Sequence, residues 1–500
     1  MKRIITFMVL LVCAASNAQN INDVLRYSNE NMLGTARFQA MGGAFGALGG
    51  DLSALGINPA GSAVFNNSLF TVSGSHYNMD NASTYFGEYS QVATNDVDIN
   101  QIGGVLVFKS NGNTDWTKVA FAVNYDVVQN FNDEHTVVGN SDQGIDNYFL
   151  NFAQGITFGS ILLQDGEFIE DAYLDIGSEQ GFGEQQAFLG YYGGIIDPTD
   201  TNDDTSTYNG NASYSSVNQD FYRVTTGYNS KFTVNLGGQY QENLYLGASL
   251  NFHTVLYEQV DQLRESGYDA TSSIRNTEFG NFLHSEGSGF SFGLGAIAKL
   301  NQNVRIGGSY QSPTWYRLTD DFSQRINSDL ADDDINFINF NIVNLFERYT
   351  IKTPAKLNGS LAFIFGKDGL ISFDYGYQDM SQAELQPTGD SSFSAINSEI
   401  SNQLGTVSSF RLGGEYRVEQ LSLRGGYRFE QSPYSDGNNI GDLNGYSGGI
   451  GYNFGAGKLD LAINRSERDY NMQLFDTGLP TPALINKINT SITLGYTANF

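Results

Sequence analysis

Ile488-Asn489-Thr490-Ser491-Ile492-Thr493-Leu494-Gly495-Tyr496-Thr497-Ala498-Asn499-Phe500 closes the chain, and its two faces differ. The even-numbered face carries Ile488, Ile492, Leu494, Tyr496 and Phe500; the odd-numbered face carries Asn489, Ser491, Thr493, Gly495, Thr497 and Asn499. A period of two marks a β-strand lying between an apolar and a polar medium. Its length exceeds the roughly 9–11 residues that a tilted crossing of a bilayer needs, and its terminal aromatic falls where an interfacial girdle sits. The stretch predicts an all-β fold, a transmembrane antiparallel β-barrel of the outer membrane, with even residues toward lipid and odd ones toward the lumen. To close the wall, this strand should pair with a first strand near Leu69 to Tyr77.

Working backward, tight polar turns stand near 110–115, 241–243, 301–303, 366–369, 419–420 and 455–457. Longer acidic stretches fall at about 91–98, 130–229, 259–287, 320–350, 386–405, 432–443 and 471–486, and the longest holds a helix at 147–158. Short and long connections alternate, as expected of periplasmic turns and extracellular loops. They join about fourteen strands, with both chain ends in the periplasm. Within strands, Val119, Phe121, Val123 and Tyr125 face lipid, as do Leu357, Leu361, Phe363 and Phe365. Phe410, Leu412, Tyr416 and Val418 face out, leaving Arg411, Gly413, Glu415 and Arg417 inside; Leu421, Leu423, Tyr427 and Phe429 face out, leaving Arg424 and Arg428 inside. The turn at Glu419-Gln420 then sets Glu415 opposite Arg424, and Arg411 near Arg428.

Residues 1–18 join Lys2 and Arg3 to an apolar run from Ile4 to Ala15 and small residues at Ser16-Asn17-Ala18. This is a secretory signal peptide, cut before Gln19 and too short for a membrane span. Cys13, the single cysteine, lies within the apolar run rather than at a lipidation site. The mature chain is therefore expected to have no disulfide and no thiolate metal ligand. Without Lys2 and Arg3, 24 basic residues face 54 acidic ones, a formal charge of −30. Nucleic acid is excluded as a partner, because phosphate binding needs a basic surface. A mean hydropathy of −0.28 is compatible with a barrel, where only every second residue of a strand meets lipid. The remaining partners expected are membrane lipid, lipopolysaccharide and, during biogenesis, the barrel-assembly machinery, with the barrel itself a monomer.

Residues 19–66 carry no alternation of membrane length and are rich in glycine and alanine. A barrel of fourteen strands exceeds the roughly eight whose side chains fill a lumen, so this segment is expected inside as an N-terminal plug, or hatch. Residues 67–500 are then the barrel, with long loops at 130–229, 259–287 and 320–350.

Three stretches resemble the FadL/TodX family of outer-membrane transporters for hydrophobic compounds, which includes long-chain fatty-acid channels. The plug holds Gly34-Thr35-Ala36-Arg37, Met41-Gly42-Gly43-Ala44 and Asn58-Pro59-Ala60, the last similar to the family's N-terminal hatch motif. Thr353-Pro354-Ala355 opens a strand after a long loop, and Arg424-Gly425-Gly426-Tyr427 precedes Gln431-Ser432-Pro433. The resemblance implies passive uptake of hydrophobic compounds such as long-chain fatty acids, gated by a hatch at Asn58, Pro59, Ala60 and Gly61. A lateral opening in the wall would release ligand into the bilayer. The loop 130–229 is longer than the family pattern. Pro59 fixes φ and biases Asn58 toward extended geometry, so the pair makes a stiff turn that can seal a passage or merely shape the chain.

Rival chemistries are weaker. Arg411, Arg424 and Arg428 are candidate contacts for a ligand carboxylate, with Lys299, Arg305 and Lys356 behind them; the plainer expectation is that they pair with Glu415 and Glu430. His76, His135, His253 and His284 form no catalytic or haem-binding motif, and His253-Thr254 and His284-Ser285 lack a third orienting residue, so no enzyme is expected. The run 41–50 lacks the spacing and lysine of a nucleotide loop. Asp197 to Asp204 and Asp332 to Asp334 lack the spaced ligands of a calcium loop; no metal and no cofactor are expected. The alternative to transport is a structural or secretion-associated barrel in which the hatch is a docking element. An apolar pocket lined by Phe337, Phe340, Leu345 and Phe346 would favour transport, and a solid lumen the alternative.

Overall fold

Fourteen antiparallel strands close on themselves in a computed structural model that describes residues 19–110, 112 and 114–500. The expected signal peptide and Cys13 lie outside the described residues. The wall consists of β1 (Leu69–Tyr85), β2 (Glu88–Lys109), β3 (Trp116–Asn130, resuming as Asp133–Ser141), β4 (Val217–Tyr240), β5 (Leu244–Ser266), β6 (Asn276–Lys299) and β7 (Val304–Gln311, resuming as Trp315–Ser328). It continues with β8 (Tyr349–Lys352, resuming as Lys356–Phe365), β9 (Gly369–Asp379, resuming as Glu384–Gln386), β10 (Thr406–Val418), β11 (Leu421–Glu430), β12 (Leu443–Asn453), β13 (Gly457–Met472) and β14 (Ala483–Asn499). β14 returns to β1, with Leu69 opposite Asn499 and Tyr77 opposite Ser491. The wall closes through the membrane band, while above Gln101 β2 pairs only with β1 and Asp133–Ser141 of β3 pairs only with β4.

The alternation of β14 has the predicted sense. Ile492, Leu494 and Tyr496 are exposed on the outside, whereas Ser491 and Thr493 are buried. Glu415 stands opposite Arg424 and Arg411 opposite Arg428, as the two-residue turn requires. Thr353-Pro354-Ala355 occupies the break in β8, where a proline costs no ladder hydrogen bond.

The long connections differ from expectation. Residues 91–98 are not a loop but part of β2, paired with β1 down to a two-residue turn at Phe86-Gly87 whose φ values are +47° and +82°. Two positive φ angles make a type I′ turn, the geometry matched to a twisted hairpin. The expected loops 259–287 and 320–350 shrink to 267–275 and 329–348, and much of 130–229 is strand. β4, β5 and β6 run 24, 23 and 24 residues, more than twice the roughly 9–11 of a crossing. Their outer halves stand in water, so apolar alternation ends while the backbone ladder continues. On β5 the outward face passes from Leu246, Leu250 and Phe252 to Glu258, Gln262 and Arg264.

The remaining loop, 142–216, folds over the outer mouth. The single helix expected at 147–158 is shorter, α3 (Asp146–Ala153), and two more follow it, α4 (Ile169–Glu179) and α5 (Phe182–Tyr192). Ile169, Ala172, Tyr173 and Ile176 are the buried residues of α4, a helical spacing present in the sequence but lost among acidic residues. Another helix, Ser391–Gln403, lies between β9 and β10.

Replacing Leu494, 54% exposed on the lipid face, by arginine should cost about 2–4 kcal/mol near the bilayer midplane. The measurement is reversible folding into lipid vesicles, followed by heat-modifiable electrophoretic migration.

Candidate functional site

Residues 19–66 pack within the barrel as two helices, α1 (Ile21–Ser28) and α2 (Ala36–Ala40), and two short 3-10 turns, Ser53–Gly56 and Pro59–Val64. Asn58 is the hub of the second turn. Its backbone is extended (φ −141°, ψ 110°), as a residue before proline prefers. Its Oδ1 accepts from Ala60 N at 3.1 Å, while its Nδ2 donates to Gly46 O at 2.7 Å and to Ala296 O of β6 at 3.1 Å. One buried amide thus caps a turn, ties it to the neighbouring turn of the plug, and fastens both to the wall. Gly61 continues the stitching, with its N–H to Asn58 O and its carbonyl receiving Gly50 N.

Most of the wall's backbone groups are spent in the ladder, Val128 O, which accepts Asn31 N–H at 2.9 Å, being an exception, so side chains supply many of the bonds that hold the plug. Asn235 Nδ2 donates to Pro59 O at 2.9 Å, Ser309 Oγ to Ile57 O at 2.6 Å and Asn100 Nδ2 to Gly34 O at 3.0 Å. Asp374 accepts Gly46 N–H at 2.8 Å. Sequence reasoning missed all four. They are short polar residues at inward positions, and nothing in a single strand shows what they face.

Inward-facing glycines complete the seat. A Cβ at Gly247 would lie 2.3 Å from Pro59 O, and one at Gly307 would lie 2.3 Å from Gly46 O. Gly413 and Gly426 meet Met41 and Gly42 in the same way. The plug backbone lies directly on the wall because these positions have no side chain.

The lumen arginines are not equivalent. Arg424 is saturated, with Nε to Glu415 at 2.7 Å and Nη1 to Asp460 at 2.6 Å. Glu415 also accepts Arg37 of the plug at 2.9 Å and a further contact from Arg417. Arg428 pairs with Glu430, which Arg468 shares. Among the described residues, only Arg411 of the three makes no hydrogen bond or ion pair; it borders a cavity of about 50 Å³ with Glu30 and Lys356. Lys299 and Arg305 face inward, with Lys299 over the Tyr245 ring and Arg305 donating to Leu48 O.

The histidines are scattered. His76 is exposed on the outer face of β1, His135 meets Tyr470, His253 lies among Asn229, Ser291 and Tyr316, and His284 meets Glu258. Phe337 and Leu345 are 58% and 77% exposed, so the four-residue apolar pocket expected at 337–346 does not form. The aromatic mass lies instead beneath α3 to α5, where Phe279 stands 5.4 Å from Tyr148, 5.1 Å from Phe149 and 5.3 Å from Phe475, ring centre to ring centre. Phe188, Phe221 and Tyr173 extend this buried cluster across the mouth.

Glu265 of β5 ties the roof to the wall. It is 2% exposed and accepts Ile145 N at 2.9 Å, Gln219 Nε2 at 2.7 Å and Tyr268 OH at 2.8 Å. Burial pushes its carboxyl up to about 7, with nearby Asp146 adding to the shift and the three hydrogen bonds opposing it.

A closed wall, an internal plug and an apolar roof together make a plugged antiparallel β-barrel. Residues 230–473, just under half of the chain, match the family model described as outer membrane protein transport protein (OMPP1/FadL/TodX). Among solved structures, a Pseudomonas aeruginosa FadL homologue superposes with a TM-score of 0.54 at 13% identity, covering 94% of this chain and 99% of its own. The Pseudomonas putida toluene transporter TodX gives 0.48 at 13%, covering 95% and 100%, and the Ralstonia pickettii toluene transporter TbuX gives 0.46 at 14%, covering 94% and 99%. At these identities the likeness is one of fold, and the FadL homologue carries it. No curated protein matches the chain in sequence.

Gly247→Ala should lift the plug from β5 and raise single-channel conductance in planar bilayers, whereas Gly359→Ala, with open space around it, should leave conductance unchanged. For Glu265 the folded pKa lies above the ordinary 4.5, so its contribution to roof stability is complete below that value and is lost as pH rises through about 7. Proteolytic nicking of loop 142–216 should therefore increase between pH 5 and pH 8, and Glu265→Gln should flatten that dependence.

Proposed function

We propose that this barrel is a passive outer-membrane channel for hydrophobic compounds such as long-chain fatty acids, gated by the N-terminal plug at Asn58, Pro59, Ala60 and Gly61. The observation that carries the reading is the apolar, aromatic cluster at the outer mouth stacked above a plug held by a small set of side chains, in a chain whose residues 230–473 match the model of a transport family. An apolar solute arriving through the saccharide layer meets apolar surface under the roof, and movement of the plug opens the way onward. The relatives named as toluene transporters support hydrophobic cargo in general and leave its size open. Arg411, lacking a partner, is the residue best suited to a ligand carboxylate; Arg424 and Arg428 serve the architecture.

The proposal includes cleavage of residues 1–18 on export, insertion by the barrel-assembly machinery and function as a monomer. The second reading, a structural or secretion-associated barrel with the plug as a docking element, draws on how full the lumen is: the cavity behind the plug holds only about 50 Å³.

Cells with and without the protein are compared for uptake of a labelled long-chain fatty acid and of labelled toluene. Faster uptake of either with the protein is expected, and equal rates for both would sink transport. Deletion of residues 20–65 should raise bilayer conductance; unchanged conductance removes the gating role without touching cargo.

A further inference from the structure

A cavity lies on the outer side of the wall, away from the plug. It measures about 680 Å³ and is formed by the outer ends of β3 to β7 with Glu88 of the first hairpin. This falls in the size range of small-ligand sites, about 300–1,000 Å³, but its lining is polar.

Register arranges that lining in two rows. Asn140, Asn218, Ser266 and Asn276 are successive cross-strand partners, and Asp220 and Arg264 are partners in the next row. Strands are spaced about 4.8 Å apart, so each row sets planar amide, carboxylate and guanidinium groups at even intervals. The side chains of Asn218, Asp220, Ser266 and Asn276 make no hydrogen bond among the described residues; Asn140 uses its amide on Glu88 at 2.8 Å, and Arg264 lies 3.8 Å from Glu278. A hollow offering unspent donors and acceptors in parallel suits vicinal hydroxyls.

Position selects the occupant. Asp220 lies twelve residues beyond lipid-facing Phe232 on β4, roughly 30 Å farther along a tilted strand. The hollow opens sideways at that height, into the layer occupied by lipopolysaccharide sugars. Acidic groups outnumber cations around it, with Glu88, Asp220, Glu265, Glu278 and Asp329 against Arg264, which disfavours a phosphorylated sugar.

We infer that this hollow binds the neutral, phosphate-free sugars of the lipopolysaccharide core, through Asn218, Asp220, Ser266 and Asn276. Each planar side chain takes two hydroxyls of one ring, and the barrel is thereby fixed to its lateral surroundings whatever it carries.

The test titrates full-length, detergent-purified protein in EDTA with complete core oligosaccharide released from lipopolysaccharide by mild acid, with phosphorylated inner core alone, and with dextran. Complete core should bind, and the other two should not. Asp220→Ala and Asn218→Ala should each weaken binding by about tenfold, the loss of hydrogen bonds to a charged or amide group, while the exposed Asn438→Ala should not; heat-modifiable migration confirms that each variant is folded. Equal binding of inner core, equal binding of dextran, or unchanged affinity in both variants would overturn the assignment.

Discussion

The plug can lie on the wall only because side chains are missing from the wall where the two meet. The strands of a closed barrel spend most of their backbone hydrogen bonds on one another, and few wall carbonyls, such as Val128 O and Ala296 O, bond the segment inside. The rest of the contact comes from close van der Waals approach and from side chains that reach the plug backbone. Inward glycines such as Gly247, Gly307, Gly413 and Gly426 provide the first, and Asn235, Ser309, Asp374 and Asn100 the second. A single methyl at one glycine would overlap plug backbone, which has no rotamer with which to move aside.

Charge fastens the same segment at another point. Glu415 is 1% exposed at its side chain and is held by Arg37 from the plug as well as by Arg424 and Arg417 from the wall. A buried carboxylate without a partner is strongly destabilising. Because two wall arginines remain when Arg37 leaves, the cost of freeing the plug is smaller than for an isolated buried pair. Asn58 differs: its donors and acceptor are all engaged within the plug and on β6, so displacement there breaks several bonds together.

Beyond the bilayer the same strands follow another rule. Inside the membrane band the outward face must be apolar, and alternation is easy to read, as in Val119, Phe121 and Val123. Above it both faces can be polar while pairing continues, as in 91–98 of β2 and 259–266 of β5. Polar composition there reads as loop, although the hairpins remain strand to their tips. The helices of the roof were hidden for a related reason: their short apolar faces bury against Phe221 and Phe279 from distant strands and Phe475 from the connection between β13 and β14, contacts that no local window contains.

The wall is legible along the chain: the faces of β14, its pairing with β1, the tight turns, the facing of Glu415 and Arg424, and the need for something to fill so wide a lumen. These follow from a period-two backbone crossing a medium that accepts only apolar side chains and no unpaired backbone, constraints that act residue by residue. What the inward face is for emerges only when the barrel closes. Gly247 and Pro59 lie far apart in the chain, and so do Asn58 and Ala296, Glu265 and Ile145, and Arg37 and Glu415. Their roles exist because closing the barrel brings them together, and a side chain's environment is set by what lies across the lumen rather than by its neighbours along the strand.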